Sequence, residues 1–316
     1  MHPISRMVIS GAMRHFKDFV YNLLYFTEHN PTDHEPAQLR NFVLSIPENA
    51  RAKYSKEYEF IESLGPTELN KLLVPYAVNQ VNRGDLSVPI GSMHGLLYVA
   101  HSCVGGGKKL FFPNYMSLDG VRQAYEDLMR IECILDKAKS PHSYQDACHE
   151  VEQGDIILDI GCAEALFALD NIEKASKVFL YESLKDWRKP LKYTFDPYKE
   201  KTMLINKLVS DKTTRKTTTI LDSLQDIGAK NSQFFVKMDI EGGERDVIAG
   251  NAEFFRNNKV KLSACCYHRQ DDAVVIEKLL NEMGYSTRFS KGYMLTPMNG
   301  IHYPYFRRGV IYARNF

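Results

Sequence analysis

Two textures of hydrophobic patterning divide the chain. From residue 154 onward, short apolar runs alternate with stretches in which apolar residues recur every three or four positions. The runs DIILDI (155–160), KVFLYE (177–182), KTMLINKLVS (201–210), QFFVKMDI (233–240), VKLSACCYH (260–268) and RGVIYARNF (308–316) read as buried strands. Between them, AEALFALDNIEKA, LKDWRKPLKYTF, GERDVIAGNAEFFRNN and DDAVVIEKLLNEMG read as amphipathic helices, the second expected to be cut at Pro190. Apolar strands alternating with such helices predict a mostly parallel α/β sheet with helices on both faces. Ligands of such sheets lie beyond the carboxyl ends of the strands.

The first 120 or so residues are less regular. Turn-rich pieces such as NPTDHEP and HSCVGGGKKLFFPN separate short runs, and GGGKK lacks the spacing of a phosphate loop, so a strand-to-strand hairpin is expected there. Phe16, Phe19, Val20, Leu23 and Leu24 recur at helical spacing, as do Val121, Tyr125, Leu128, Ile131 and Ile134. The expected division is a mixed, mainly helical region over 1–118, suited to substrate or oligomer contacts, and a catalytic domain over 119–316.

Composition narrows the function. The 316 residues carry 40 Lys+Arg against 39 Asp+Glu, a net charge of +1, so no nucleic-acid surface is expected. No run approaches the ~20 apolar residues of a spanning helix, and charges interrupt the first 26 residues where a signal peptide would be apolar. The six cysteines show no paired metal spacing. A cytoplasmic protein with reduced thiols is the expectation.

The chemistry gathers at predicted strand ends. Asp159 precedes Gly161, with Ala163 and Ala165 following where a dinucleotide loop would carry glycines. A carboxylate there would repel a pyrophosphate but suits a cofactor with a cationic end, such as S-adenosylmethionine, and Gly161 lets backbone approach it. Glu182 ends the next strand, placed to accept from ribose hydroxyls. Asp211 is a candidate for the adenine amino group, and His142 for closing over the cofactor. In KMDIEGGERD, Asp239 and Glu241 could polarise a substrate hydroxyl, and His268 one strand over is a candidate general base. No metal is expected, because no histidine or further acid is clearly placed to complete an oxygen shell.

DIILDIGCAEALFAL, KVFLYE, INKLVSDK, TTILDSL, VKMDIEGGERDVIAG and ACCYHRQDD together resemble the FkbM family of S-adenosylmethionine-dependent methyltransferases, over about residues 120 to 316. Ala165 stands where the usual first motif ends in glycine. The resemblance implies a class I methyltransferase (Rossmann-like) seven-stranded sheet with one antiparallel strand. It also implies O-methylation of a sugar, glycolipid, polysaccharide or natural-product hydroxyl, with Asp159, Gly161 and Glu182 on the cofactor and Asp239 and Glu241 in the acidic signature. The alternatives are an NAD-dependent oxidoreductase and a non-catalytic cofactor- or glycan-binding scaffold. For substrate choice, Tyr293, Tyr303, Tyr305 and Phe306 are expected to stack on a sugar, with Arg307 and Arg308 reaching anionic groups.

Overall fold

The computed structural model describes residues 46–55, 58–59, 76–77, 88–101, 107–132, 140–225, 232–295 and 306–316. The stretch from Phe16 to Leu24, together with Tyr303 and Tyr305, lies outside them. Strands β1 (Ile90–Met93), β2 (Leu96–His101) and β3 (Lys108–Phe111) form an antiparallel sheet, so the segment around GGGKK joins two paired strands. Helix α1 (Leu118–Ile131) follows, its first turn closed by Ser117, whose side chain accepts the Gly120 N–H at 3.1 Å. Its Val121, Tyr125 and Met129 are buried in the core.

The remaining chain builds one seven-stranded sheet. Its strands are β4 (Ile156–Ile160), β5 (Lys177–Tyr181), β6 (Thr202–Ile205), β7 (Gln233–Met238), β8 (Lys259–Cys265), β9 (Ser286–Phe289) and β10 (Val310–Arg314). Their order is β9-β10-β8-β7-β4-β5-β6, all parallel except β10, which runs antiparallel to both neighbours. This is the class I methyltransferase arrangement. Short α2 (Leu166–Asp170) and α3 (Arg188–Phe195) alternate with the early strands, while α4 (Glu244–Gly250), α5 (Ala252–Asn257) and α6 (Asp272–Glu282) follow the later ones. Pro190 does not cut its helix. It sits in the first turn of α3, where its missing N–H has no intrahelical partner to lose.

The strands are less uniformly apolar than their runs suggest, and the two-residue period sorts them. Ile156, Leu158 and Ile160 of β4, with Phe234, Val236 and Met238 of β7, pack on one face together with Ile248, Phe254 and Ile276 from the later helices. The other face carries Ile157 and Phe235 under α1 and α2. On that face Asp159 pairs in register with Lys237, and Lys237 with Ser263. A polar row therefore crosses the three central strands beneath a cover that includes Tyr144, whose carbonyl accepts the Ser263 hydroxyl at 2.7 Å.

Candidate functional site

Two loops at the carboxyl edge of the sheet meet at Gly161. The loop after β4 turns there with φ +74°, and a Cβ at this position would stand 2.0 Å from the Asp239 carbonyl oxygen at the end of β7. Glycine is thus required by the neighbouring strand, a reason distinct from close approach to a cofactor. Ala163 (φ 44°), Ala165 (φ 60°) and Glu241 (φ 56°) also hold left-handed backbone, which costs a non-glycine residue on the order of 1 kcal/mol or more. Three of the four such non-glycine residues among the described ones lie in these two loops. Strain concentrated at one edge marks the place where geometry outweighs stability.

In the first loop, Glu182 is buried and accepts the Ala163 N–H at 3.1 Å and the Leu184 N–H at 2.7 Å. Burial pushes its carboxyl up, and those N–H groups pull it back. Two backbone donors leave the carboxylate lone pairs for a further donor. Asp159 is 0% exposed, so its carboxylate lies beneath the loop rather than against a ligand. It pairs with Lys237 Nζ at 3.2 Å, and that ammonium also donates to the Gly161 carbonyl at 2.8 Å. Asp159 therefore acts on the loop through Lys237.

Lys237 is surrounded. Burial would lower its pKa, but Asp159, Asp239, Glu132 and Glu164 hold it firmly charged. One ammonium is thus shared among four acids, and Glu132 and Glu164 have no cation of their own among the described residues. Burial, then Glu164, pushes Glu132 well above the carboxylate range, and burial pushes Glu164 up to about 7. Glu132 Oε2 is buried with no hydrogen-bond partner. Neither glutamate stands out by sequence: Glu132 closes α1, and Glu164 sits between two alanines.

The second loop assembles around His268, which is 6% exposed. Its Nε2 lies 3.4 Å from Asp239 Oδ1 and 3.4 Å from Glu241 Oε2, while Nδ1 faces Glu244 Oε1 at 3.1 Å. Burial would depress the imidazole, yet Glu244 and Glu241 raise it to about 10. A ring so enclosed by carboxylates is drawn toward its charged form, which works against the general-base role expected of it. Burial would raise Asp239 too, but His142, His268 and Lys237 hold its carboxyl well below the ordinary range. Burial pushes Glu241 up to about 7 against the pull of His268. Glu244 is fully buried, not a solvated helix-start acid, and its Oε1 accepts the Ile240 N–H at 2.8 Å.

Three further residues fall elsewhere than their sequence positions suggest. His142 is buried beside Asp239, with Nε2 3.5 Å from Oδ2 and 3.2 Å from the Tyr267 hydroxyl, so it belongs to the acidic edge rather than to a cofactor cover. Asp211 is exposed and lies against Gly250 at the far end of α4, away from the Gly161 loop. The run read as one strand over 201–210 breaks after Ile205, which leaves Asn206 exposed at the carboxyl end of β6, next to the strand that carries Glu182. Asp272 is buried and paired with Arg245 at 2.7 Å, tying α6 to α4.

The expected substrate surface is also partly inward. Phe306 is buried against Tyr54, and Arg307 donates to the carbonyls of Tyr267 and His268 at 2.6 and 3.2 Å. Arg307 thus braces the loop behind the histidine. Arg308 lies over the Tyr293 ring at 4.2 Å. Among the described residues no helix is long and apolar enough to cross a membrane.

Residues 145–287 match the family model described as the Methyltransferase FkbM domain. Over that span the chain is similar to an FkbM methyltransferase domain. Its two loops, after β4 and after β7, both fall within the matched span. No curated protein matches the chain. Among solved structures, it is similar to the methyltransferase FkbM of Methylobacillus flagellatus, with 17% identity and a TM-score of 0.42 over 61% of this chain and 54% of that one. The chain thus spans about half the length of that neighbour. A putative methyltransferase from Streptococcus mutans in complex with SAH is similar at 11% identity and TM-score 0.34, over 52% of this chain and 90% of that one. A putative tRNA (m1A22) methyltransferase from Streptococcus pneumoniae, in complex with S-adenosyl-L-methionine, gives 15% and 0.34, over 52% and 67%.

Proposed function

We propose that the FkbM domain binds S-adenosylmethionine and transfers its methyl group to a hydroxyl oxygen of a sugar, a glycolipid or polysaccharide, or a natural product. The single observation that carries the cofactor reading is the buried surplus of carboxylates around Lys237. Glu132 and Glu164 lack a cation of their own, which suits a ligand with an ammonium and a sulfonium and disfavours a pyrophosphate. S-adenosylmethionine supplies a methyl group already activated by its positive sulfur.

The chain's residues then hold and orient. Glu182, with two lone-pair directions left beyond its backbone donors, accepts from ribose hydroxyls, and Asn206 stands at the adjoining strand end for the base. The acceptor hydroxyl sits at the Asp239–Glu241 edge, in line with the methyl group. Its oxygen gains the methyl, the sulfur leaves as a neutral thioether, and the proton passes to a carboxylate. Glu241 suits that role, because Asp239 is already engaged by the Tyr144 hydroxyl at 2.7 Å and by two histidines. Titrating the purified chain with S-adenosylmethionine and with NAD tests the reading. Binding of the first alone is expected, and binding of NAD alone would replace this function with a dehydrogenase.

A further inference from the structure

Beyond the ends of β7 and β8, two carboxylate oxygens converge on one imidazole nitrogen at separations that a shared cation would give. His268 Nε2 is 3.4 Å from both Asp239 Oδ1 and Glu241 Oε2, and the three atoms lie within 4.8 Å of one another. Donors at roughly 2.0–2.2 Å from one cation stand about 3.0–3.5 Å apart along a polyhedron edge. Neither Nε2 nor Asp239 Oδ1 has a hydrogen-bond partner, although both atoms are buried.

The surroundings prepare these atoms. Glu244 Oε1 lies 3.1 Å from Nδ1, short of hydrogen-bond geometry, and is itself anchored by the Ile240 N–H, so a carboxylate stands behind the ring on the side away from Asp239 and Glu241. Tyr144 occupies Asp239 Oδ2 and leaves Oδ1 to the cluster. The Asp239 and Glu241 side chains keep 18% and 14% exposure, so the cluster is open on one side.

We propose that Asp239, Glu241 and His268 bind a divalent first-row transition cation, with Glu244 as the positioning residue. Two carboxylates and one imidazole favour such an ion over magnesium or calcium, which prefer all-oxygen shells. The use of the ion rests on the proposed function. On the open side it takes the acceptor hydroxyl and lowers its pKa, so that the proton leaves to water and Glu241 serves as a ligand instead of a base.

The test uses the full chain, stripped with chelator and titrated with Mn²⁺ under electron paramagnetic resonance. One equivalent is expected to bind, with a nitrogen coupling that His268→Gln abolishes. Asp239→Asn should weaken binding about 100-fold and Glu244→Gln about 10-fold, in proteins whose melting shows them folded. Absence of stoichiometric Mn²⁺, Co²⁺ and Zn²⁺ binding by the unmutated chain overturns the proposal, as does unchanged binding in the folded variants. Cation binding without methyl transfer to any acceptor supports the site and sinks the proposed function. Full methyl transfer by the stripped protein in chelator overturns the site's part in the reaction.

Discussion

The loop after β4 and the loop after β7 touch through one glycine, and each gathers three acids around a different basic side chain. Around the first, acids outnumber cations: Asp159, Glu132 and Glu164 share Lys237, and one glutamate oxygen is left without a partner. Around the second, His268 sits inside a ring formed by Asp239, Glu241 and Glu244. The first set of acids shares an ammonium held within the sheet, whereas the second converges on an imidazole at the strand ends, where Asp239 and Glu241 stay partly exposed. The first arrangement suits capture of a charged cofactor and the second suits chemistry on a neutral hydroxyl.

The sharpest way to break the comparison is Asp239→Asn. Methyl transfer should fall by about 10²–10⁴-fold while S-adenosylmethionine affinity changes little, as single-turnover rates and calorimetry would record. Equal loss of both would merge the two loops into one site. Gly161→Ala attacks the contact between them, because its Cβ would meet the Asp239 carbonyl oxygen at 2.0 Å. A loss of roughly 2–4 kcal/mol in denaturant unfolding is expected, together with loss of both activities. An unchanged midpoint would show that the loops move independently.

Glu182→Ala addresses the first loop alone. Cofactor affinity should drop by about 1–3 kcal/mol, with transfer at saturating cofactor largely kept. Unaltered affinity would remove Glu182 from the site. The smallest effect lies outside both loops. Burial, with help from Arg288, depresses the His149 imidazole from 6.5 to about 3. The unfolded chain takes up this proton first, so stability present above about pH 6.5 is lost as pH falls toward about 3. His149→Phe keeps a ring against Tyr312 and Phe235 and should reduce acid destabilisation over that window by a few kcal/mol at most. Thermal melts at pH 4 and 7 that shift in parallel for both proteins would refute this.

The strand–helix alternation after residue 154 sufficed to predict the parallel sheet, because a strand buried on both faces leaves a long apolar run. Its misreadings have physical causes. Residues 201–210 look continuous, but the chain leaves the sheet after Ile205, so Asp211 does not follow directly on β6. Arg307 reads as an outward cation, yet its guanidinium is consumed by the carbonyls of Tyr267 and His268. Glu132 and Glu164 escaped notice because a buried acid carries no periodic signature.

The sequence alone determined every strand of the main sheet except β9, their order along the chain, and the acid–glycine loops that follow β4 and β7. Local pattern suffices for these, since hydrophobic periodicity and turn chemistry act over a few residues. Tertiary structure alone decided what each acid does. Strand register set Lys237 beside Asp159, and the packing of Asp239 against Gly161 joined the two loops. The meeting of three carboxylates from one loop with an imidazole from the next strand set the environment of His268. Charge and protonation depend on neighbours brought from far along the chain, and only folding chooses those neighbours.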